Sequence, residues 1–240
     1  MAVTITTTNA AGQVVKPDFS WSYSRIKNYD TCPFRYQQID VLKNFKESDD
    51  SGQLKEGFAV HAALADRIDK LRRLPPTMPY EHWVNYVMQG VDRTTMTFGA
   101  ERKLAITENF EPCDYFDKIK KVWLRTVADV LRVDGTNAHI VDWKTGKVKP
   151  DPDQLLLIGS CVMAHFPQVT HVCAELIWLG FNTKTTVQFG VEDIMDFWKT
   201  NMFPKVKALQ QAHETSYFPP TKSGLCKKYC VVKTCDHCGQ

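Results

Sequence analysis

The spacing of apolar positions changes period several times along this chain. Residues 56–74 carry apolar side chains at helical intervals and run into Pro75-Pro76, which predicts a long amphipathic helix closed by the prolines. Ahead of it, Ser20-Trp21-Ser22-Tyr23-Ser24 predicts a serine-capped start to a short helix over 25–29, ended by Cys32-Pro33. Residues 34–42 resume a helical pattern, 44–53 read as a charged loop, and 80–90 predict a further helix. The pattern then turns to strands over 102–110, 123–133 and 138–144. A helix over 154–165, opened by Pro150-Asp151-Pro152, precedes two more strands at 169–179 and 185–189. A last helix spans 191–213, with Pro204 expected to kink it. This order predicts an α/β core with helical additions. Residues 1–18 show no period and are expected to form a flexible leader; 19–218 make up the main domain and 219–240 a cysteine-rich tail.

Two of these strands carry chemistry. Asp134-Gly135-Thr136-Asn137 is a hairpin-turn signal between them. If those four residues form the loop, Val133 faces Ala138 and Asp129 faces Asp142, with Cβ atoms roughly 5 Å apart. A two-residue loop at Asp134-Gly135 would set Asp129 against Ile140 instead. The even shift keeps the same face in either case. Lys144, two residues beyond Asp142, projects from that face too. Two acids and an ammonium on one sheet face suit a metal-dependent phosphodiesterase.

Composition sets the limits. At 240 residues, with 43% hydrophobic and 24% charged, the chain can bury a full core as a soluble globular protein. A net charge of +3 makes any phosphate-binding surface local. Lys118, Lys120 and Lys121, or Lys222, Lys227, Lys228 and Lys233, are the candidates. No secretory signal is visible, and the longest apolar stretch, near 155–166, is too short for a bilayer. The expected location is cytoplasmic, where eight cysteines favour metal binding or burial over disulfides. Cys113, Cys161 and Cys173 stand apart and read as buried or incidental.

Gly57-x-x-x-His61, Glu101, Asp129, the run Asp142-Trp143-Lys144-Thr145-Gly146 and Gln154 follow one another in that order. In this combination the chain resembles the RecB-like branch of the PD-(D/E)XK nuclease superfamily, from about Ser22 to Cys235. The resemblance implies a restriction-endonuclease-like mixed sheet of four to five strands flanked by helices, with the active site at one sheet edge. It also implies roles. Asp129 and Asp142 match the metal-binding carboxylates and His61 an additional metal ligand. Lys144 matches the catalytic lysine, Gln154 the glutamine of the following helix, and Glu101 a further acid. The branch has a tyrosine four residues after the glutamine; here Ile158 stands there. Mg²⁺ or Mn²⁺ would lower the pKa of bound water and shield phosphoryl charge. The implied activity is a DNA nuclease, with an exonuclease on single strands or free ends favoured over an endonuclease. Trp21 and Tyr23 are candidates for stacking on unpaired bases, with core packing an equal alternative. The small size and the lack of a helicase motif suggest the compact phage-encoded or CRISPR-associated bacterial forms, with a homo-oligomer or a recombination or CRISPR partner open. The alternative is a non-catalytic nucleic-acid-binding or adaptor protein on the same scaffold.

The tail spacing Cys226-x3-Cys230-x4-Cys235-x2-Cys238 is metal-like. Four tail thiolates could hold a structural Zn²⁺. The resemblance instead implies a [4Fe–4S] cluster that joins the N-terminal helices to the tail through Cys32, Cys226, Cys230 and Cys235, with Cys238 as the alternative last ligand. Such a cluster would close a loop of about 200 residues, and its bonds would add to folding energy.

Overall fold

The computed structural model describes residues 19–46 and 52–240. The expected leader over 1–18 lies outside the described residues. The chain divides into two compact units, one within Met1–Ser48 and Trp198–Gln240, the other within Asp49–Phe197. In chain order the elements are α1 (Tyr23–Thr31), α2 (Pro33–Tyr36) with a π-helical turn at Gln37–Val41, α3 (Gly52–Lys70), α4 (Glu81–Met88), β1 (Thr97–Ile106) and β2 (Pro112–Cys113). β3 (Leu124–Asp134), β4 (Asn137–Lys144), α5 (Asp153–His165), β5 (His171–Trp178) and β6 (Thr183–Gly190) follow. The last elements are α6 (Val191–Phe197), a π-helical turn at Trp198–Met202, α7 (Phe203–Thr215) and α8 (Leu225–Lys228).

The central unit is a mixed sheet of six strands in the order β2-β1-β3-β4-β5-β6, rather than four to five. Only β4 and β5 run parallel, joined by the crossover helix α5; every other neighbour is antiparallel. The β3–β4 register is the expected one, with Val133 opposite Ala138. Pairing continues to Asp134 opposite Asn137, so the turn is tighter than four residues. It is made by Gly135-Thr136, with Gly135 at φ +55°, a backbone conformation that costs glycine little.

Two layers close on the sheet. Val60, Leu64 and Ile68 recur every fourth residue on α3 and, with Val84 and Val87 of α4, pack against Val130, Val141, Trp143 and Ile177. The helix α5 is buried nearly all round through Leu155, Leu157, Ile158, Cys161 and Val162. Ile158, the departure noted above, is therefore a core residue. On the same helix a Cβ at Gly159 would lie 2.4 Å from the Phe189 ring, so glycine lets α5 approach β6.

Several boundaries differ from the sequence pattern, each for a local reason. α3 stops at Lys70 because Leu71 adopts φ +55°, which ends the helix before the prolines. β1 begins at Thr97 rather than 102, since its buried positions form two blocks of three and show no two-residue alternation. The 191–213 helix is interrupted: Pro204 has no N–H to give, and the five residues Trp198–Met202 take π-helical pairing just before it.

In the terminal unit, Trp21 is 1% exposed and meets Trp198 edge-to-face at 5.9 Å. It is a core residue and has no face free for a base. Ser22 occupies the N-cap of α1, but its side chain makes no cap hydrogen bond; its Oγ pairs with Ser24 Oγ at 3.0 Å. Tyr36 is equally buried and pairs with His213 Nε2 at 2.9 Å. Burial pushes the Tyr36 phenol up to about 12, so this contact stays neutral. Among the described residues no helix is long and apolar enough to cross a membrane.

Candidate active site

The two aspartates sit on the central strands β3 and β4, away from either edge strand. Their ladder ends at Val130 opposite Val141. Beyond that pair the Asp129 carboxylate takes over: its Oδ2 accepts the N–H of Trp143 at 2.7 Å. That bond fixes Asp129 beside Asp142 and leaves Oδ1 facing His61 Nδ1 at 3.2 Å. On the neighbouring strand, Asp142 Oδ1 accepts from Gln154 Nε2 at 2.6 Å. Gln154 Oε1 in turn accepts from Lys144 Nζ at 2.8 Å. Lys144 Nζ closes the triangle 2.7 Å from Asp142 Oδ2, as an ion pair. Both Asp142 oxygens are thus engaged, Oδ1 by the Gln154 amide and Oδ2 by the Lys144 ammonium.

Helix and strand bring in the remaining groups. Gly57 lies one turn before His61 on α3, and a Cβ there would stand 3.3 Å from Thr145 Oγ1. The glycine of the Gly-x-x-x-His run thus lets α3 reach the end of β4. On β1, Asp69 Oδ1 accepts the N–H of Ala100 at 3.0 Å. The next residue, Glu101, has φ +48°, a conformation costing a non-glycine residue about 1–2 kcal/mol. Pairing keeps one register on both sides of it, Ala100 opposite Val130 and Arg102 opposite Ala128. The pairing itself skips Glu101 and Asp129, and strain at a single strand residue is common where a side chain is held for a task. Ligand atoms of His61, Glu101 and Asp129 all lie within 4.8 Å of one another.

The electrostatics agree with the geometry. Burial and the neighbouring Asp129 charge push Asp142 up to about 6, although Lys144 and His61 pull the other way. Burial and Asp129 also raise Glu101. Burial lowers the basicity of His61, but the hydrogen bond to Asp129 and the charges of Asp129, Asp142 and Glu101 outweigh it and raise its pKa. Two carboxylates and a histidine share one point, and a third carboxylate, Asp142, stands beside them with Lys144. This oxygen-rich donor set, with a single nitrogen, fits a hard divalent cation.

All six residues expected in the site, His61, Glu101, Asp129, Asp142, Lys144 and Gln154, are therefore brought together. A second cluster escaped the sequence pattern. Glu175, on β5 opposite Val141, is 1% exposed. Its oxygens accept from Tyr86 Oη at 3.0 Å, Lys184 Nζ at 2.6 Å and Thr186 Oγ1 at 3.1 Å, and lie 2.9 Å from His139 Nε2. Burial opposes its ionisation, yet these contacts hold its pKa down at about 2. His139, Cys173 and Glu175 also offer ligand atoms within 4.8 Å of one another, but both Glu175 oxygens are already taken. One acid inside the apolar run 169–179 was the available signal.

In the terminal unit Cys32, Cys226, Cys230, Cys235 and Cys238 line one small pocket. The N–H groups of Arg35 and Thr221 point at Cys32 Sγ at 3.5 and 3.4 Å, and that of Ser223 at Cys226 Sγ at 3.4 Å. Burial raises the Cys235 thiol, and so do the nearby sulfurs of Cys32, Cys230 and Cys226. Cys226 Sγ donates to the Thr221 carbonyl at 3.9 Å and Cys238 Sγ to the Cys230 carbonyl at 3.8 Å.

A mixed sheet whose central strands present clustered carboxylates, a lysine and a bridging glutamine marks this as an α/β protein with a candidate divalent-cation site. The family model of the PD-(D/E)XK nuclease superfamily matches residues 20–238, and the chain belongs to that superfamily. Membership implies a nuclease acting on nucleic acid. No curated protein matches significantly. Among solved structures, the crystal structure of SSO0001 is similar over 93% of this chain and 89% of its own, at 13% identity and a TM-score of 0.45.

Proposed function

We propose that this chain is a RecB-like deoxyribonuclease dependent on Mg²⁺ or Mn²⁺, acting as an exonuclease on single-stranded DNA or DNA ends. The observation that carries the reading is the Asp142–Gln154–Lys144 triangle beside the Asp129–His61 pair. A divalent cation held by Asp129, Asp142, His61 and Glu101 would supply a more acidic bound water and charge neutralisation at the phosphoryl oxygens. The protein's own groups do the rest. Lys144 holds its ammonium at the edge of the carboxylates, where it orients the attacking water and meets developing negative charge. Gln154 is a positioning residue, since its amide bridges Asp142 and Lys144 and fixes both. Asp129 is locked by the Trp143 N–H and needs no rearrangement when substrate arrives. The pathway, be it recombination, repair or phage DNA metabolism in a bacterial cytoplasm, belongs to the same proposal and rests on the resemblance.

The test is digestion of end-labelled single- and double-stranded DNA with Mn²⁺, Mg²⁺ or EDTA. Metal-dependent trimming from an end with an early mononucleotide product is expected. Internal cuts at early times would replace the exonuclease reading by an endonuclease. No cutting by well-folded, metal-loaded protein would leave the non-catalytic binding scaffold.

The same proposal includes a [4Fe–4S] cluster on Cys32, Cys226, Cys230 and Cys235. One observation supports a set that includes Cys32 over a tail-only zinc site: Cys32 lines the same pocket as the tail sulfurs; the choice of Cys235 over Cys238 rests on the resemblance. Backbone N–H groups aimed at sulfur also suit thiolate ligands, which gain charge stabilisation from them. Protein purified without oxygen is expected to carry iron and sulfide with a broad visible absorption. Cys235→Ser should lose both and Cys238→Ser should retain them. Zinc in place of iron, or the reverse ranking of the two variants, would sink the assignment.

A further inference from the structure

The loop 114–121 between β2 and β3 presents apolar side chains to water. Phe116 is 70% exposed and Ile119 96% exposed. The loop is held in that shape by specific bonds. Asp117 Oδ1 accepts the N–H groups of Ile119 and Lys120 at 2.7 and 2.8 Å, and Arg125 Nε donates to the Tyr115 carbonyl at 2.8 Å. Tyr115 and Phe116 meet edge-to-face with ring centroids 4.9 Å apart. Lys103 Nζ stands 5.4 Å from the Phe116 ring centre and 5.7 Å from that of Tyr115. Lys103 is two residues from Glu101 on β1, near enough for its charge to act on that carboxylate. A line of groups therefore runs from the acids of the site through one lysine to an exposed aromatic ring, with the exposed Lys118 beside it.

We propose that this loop is a landing platform for single-stranded nucleic acid, with Phe116 stacking on an unpaired base and Lys103 and Lys118 meeting the flanking phosphates. Exposed aromatic faces interleaved with cations are the chemistry of sequence-tolerant strand binding. A preorganised loop holds its aromatic ready for a ligand and loses little conformational freedom on binding. The apolar patch is small and ringed by lysines, which suits a polyanion better than an apolar protein surface. The inference rests on the nuclease reading for its direction, because the strand leads to the carboxylates.

Binding is tested in EDTA, where no turnover occurs, by fluorescence anisotropy of a short labelled oligo-dT and of a blunt duplex. Phe116→Ala is expected to weaken oligo-dT binding about tenfold or more, and duplex binding much less. Phe116→Trp should restore the affinity, whereas Phe116→Leu, equally apolar but without a π face, should not. Hydrolysis of bis(p-nitrophenyl) phosphate with Mn²⁺, too small to reach the loop, should be the same in all four proteins. Unchanged oligo-dT binding by Phe116→Ala overturns the platform, as does full rescue by leucine or equal losses on duplex. A Phe116 effect on binding, with no metal-dependent cleavage by wild type, would sink the nuclease reading and leave the platform standing.

Discussion

Lys144→Ala is expected to lower metal-dependent cleavage by about 10²–10³-fold with folding intact, the scale seen when one preorganised donor of charge stabilisation is removed. The structure makes the loss specific. Lys144 is only part-buried and is held by Asp142 and Gln154, so its removal takes away a positive charge at the reacting end of β4 and little packing. Asp142→Asn is expected to be at least as damaging to catalysis, because it removes a carboxylate at the centre of the site. Its effect on stability should have the opposite sign from an ordinary core lesion. Burial and the Asp129 charge hold the folded Asp142 pKa above its ordinary 3.8, at about 6, so the fold loses stability as pH rises from there through about 6 and stays weakened at neutral pH. Asparagine lacks that penalty. In EDTA at neutral pH the variant should therefore melt no lower than wild type, the usual signature of strain kept for function. Retained cleavage in Asp142→Asn, read by end-labelled DNA at matched metal, would remove Asp142 from the reaction.

The sequence pattern reached some of this site and missed other parts for physical reasons. The β3–β4 register could be read because a turn signal and two apolar strands constrain it together; a slip by one residue would turn every side chain to the wrong face. What could not be read was the switch at Asp129, whose side chain takes over the ladder from the backbone at Trp143. Glu101 was visible only as an acid in order. Its left-handed backbone depends on the strands beside it and leaves no local trace. Trp21 stood open between base stacking and core packing, and tertiary packing against Trp198 makes it core. The six-strand count follows from β2, two residues long and too short for any period to register. Glu175 was hidden because its partners Tyr86, His139 and Lys184 come from three separate elements, and no spacing on β5 announces them.

Glu175→Ala is expected to destabilise the central unit by about 3 kcal/mol, the cost of removing a buried charged acceptor from the donors that converge on it. An independent route gives a similar size. Despite burial, the contacts from His139, Lys184 and Tyr86 hold the folded pKa at about 2 against an ordinary 4.5, which corresponds to about 3 kcal/mol. The sign follows from the depressed value: the stabilisation is complete above pH 4.5 and is lost as pH falls from there through about 2. Wild type should therefore lose protection of its β5 amides against hydrogen exchange steeply over that window. Glu175→Gln, already lacking the charge, should start lower at neutral pH and show a flatter acid profile. The same variant should still cut DNA at neutral pH wherever it remains folded, because Glu175 lies opposite Val141 and touches none of the six site residues. Equal acid slopes in the two proteins would place the stabilisation elsewhere. Lost cleavage in folded Glu175→Gln would instead mean that the β5 carboxylate helps hold β4, and with it Asp142, in its working position.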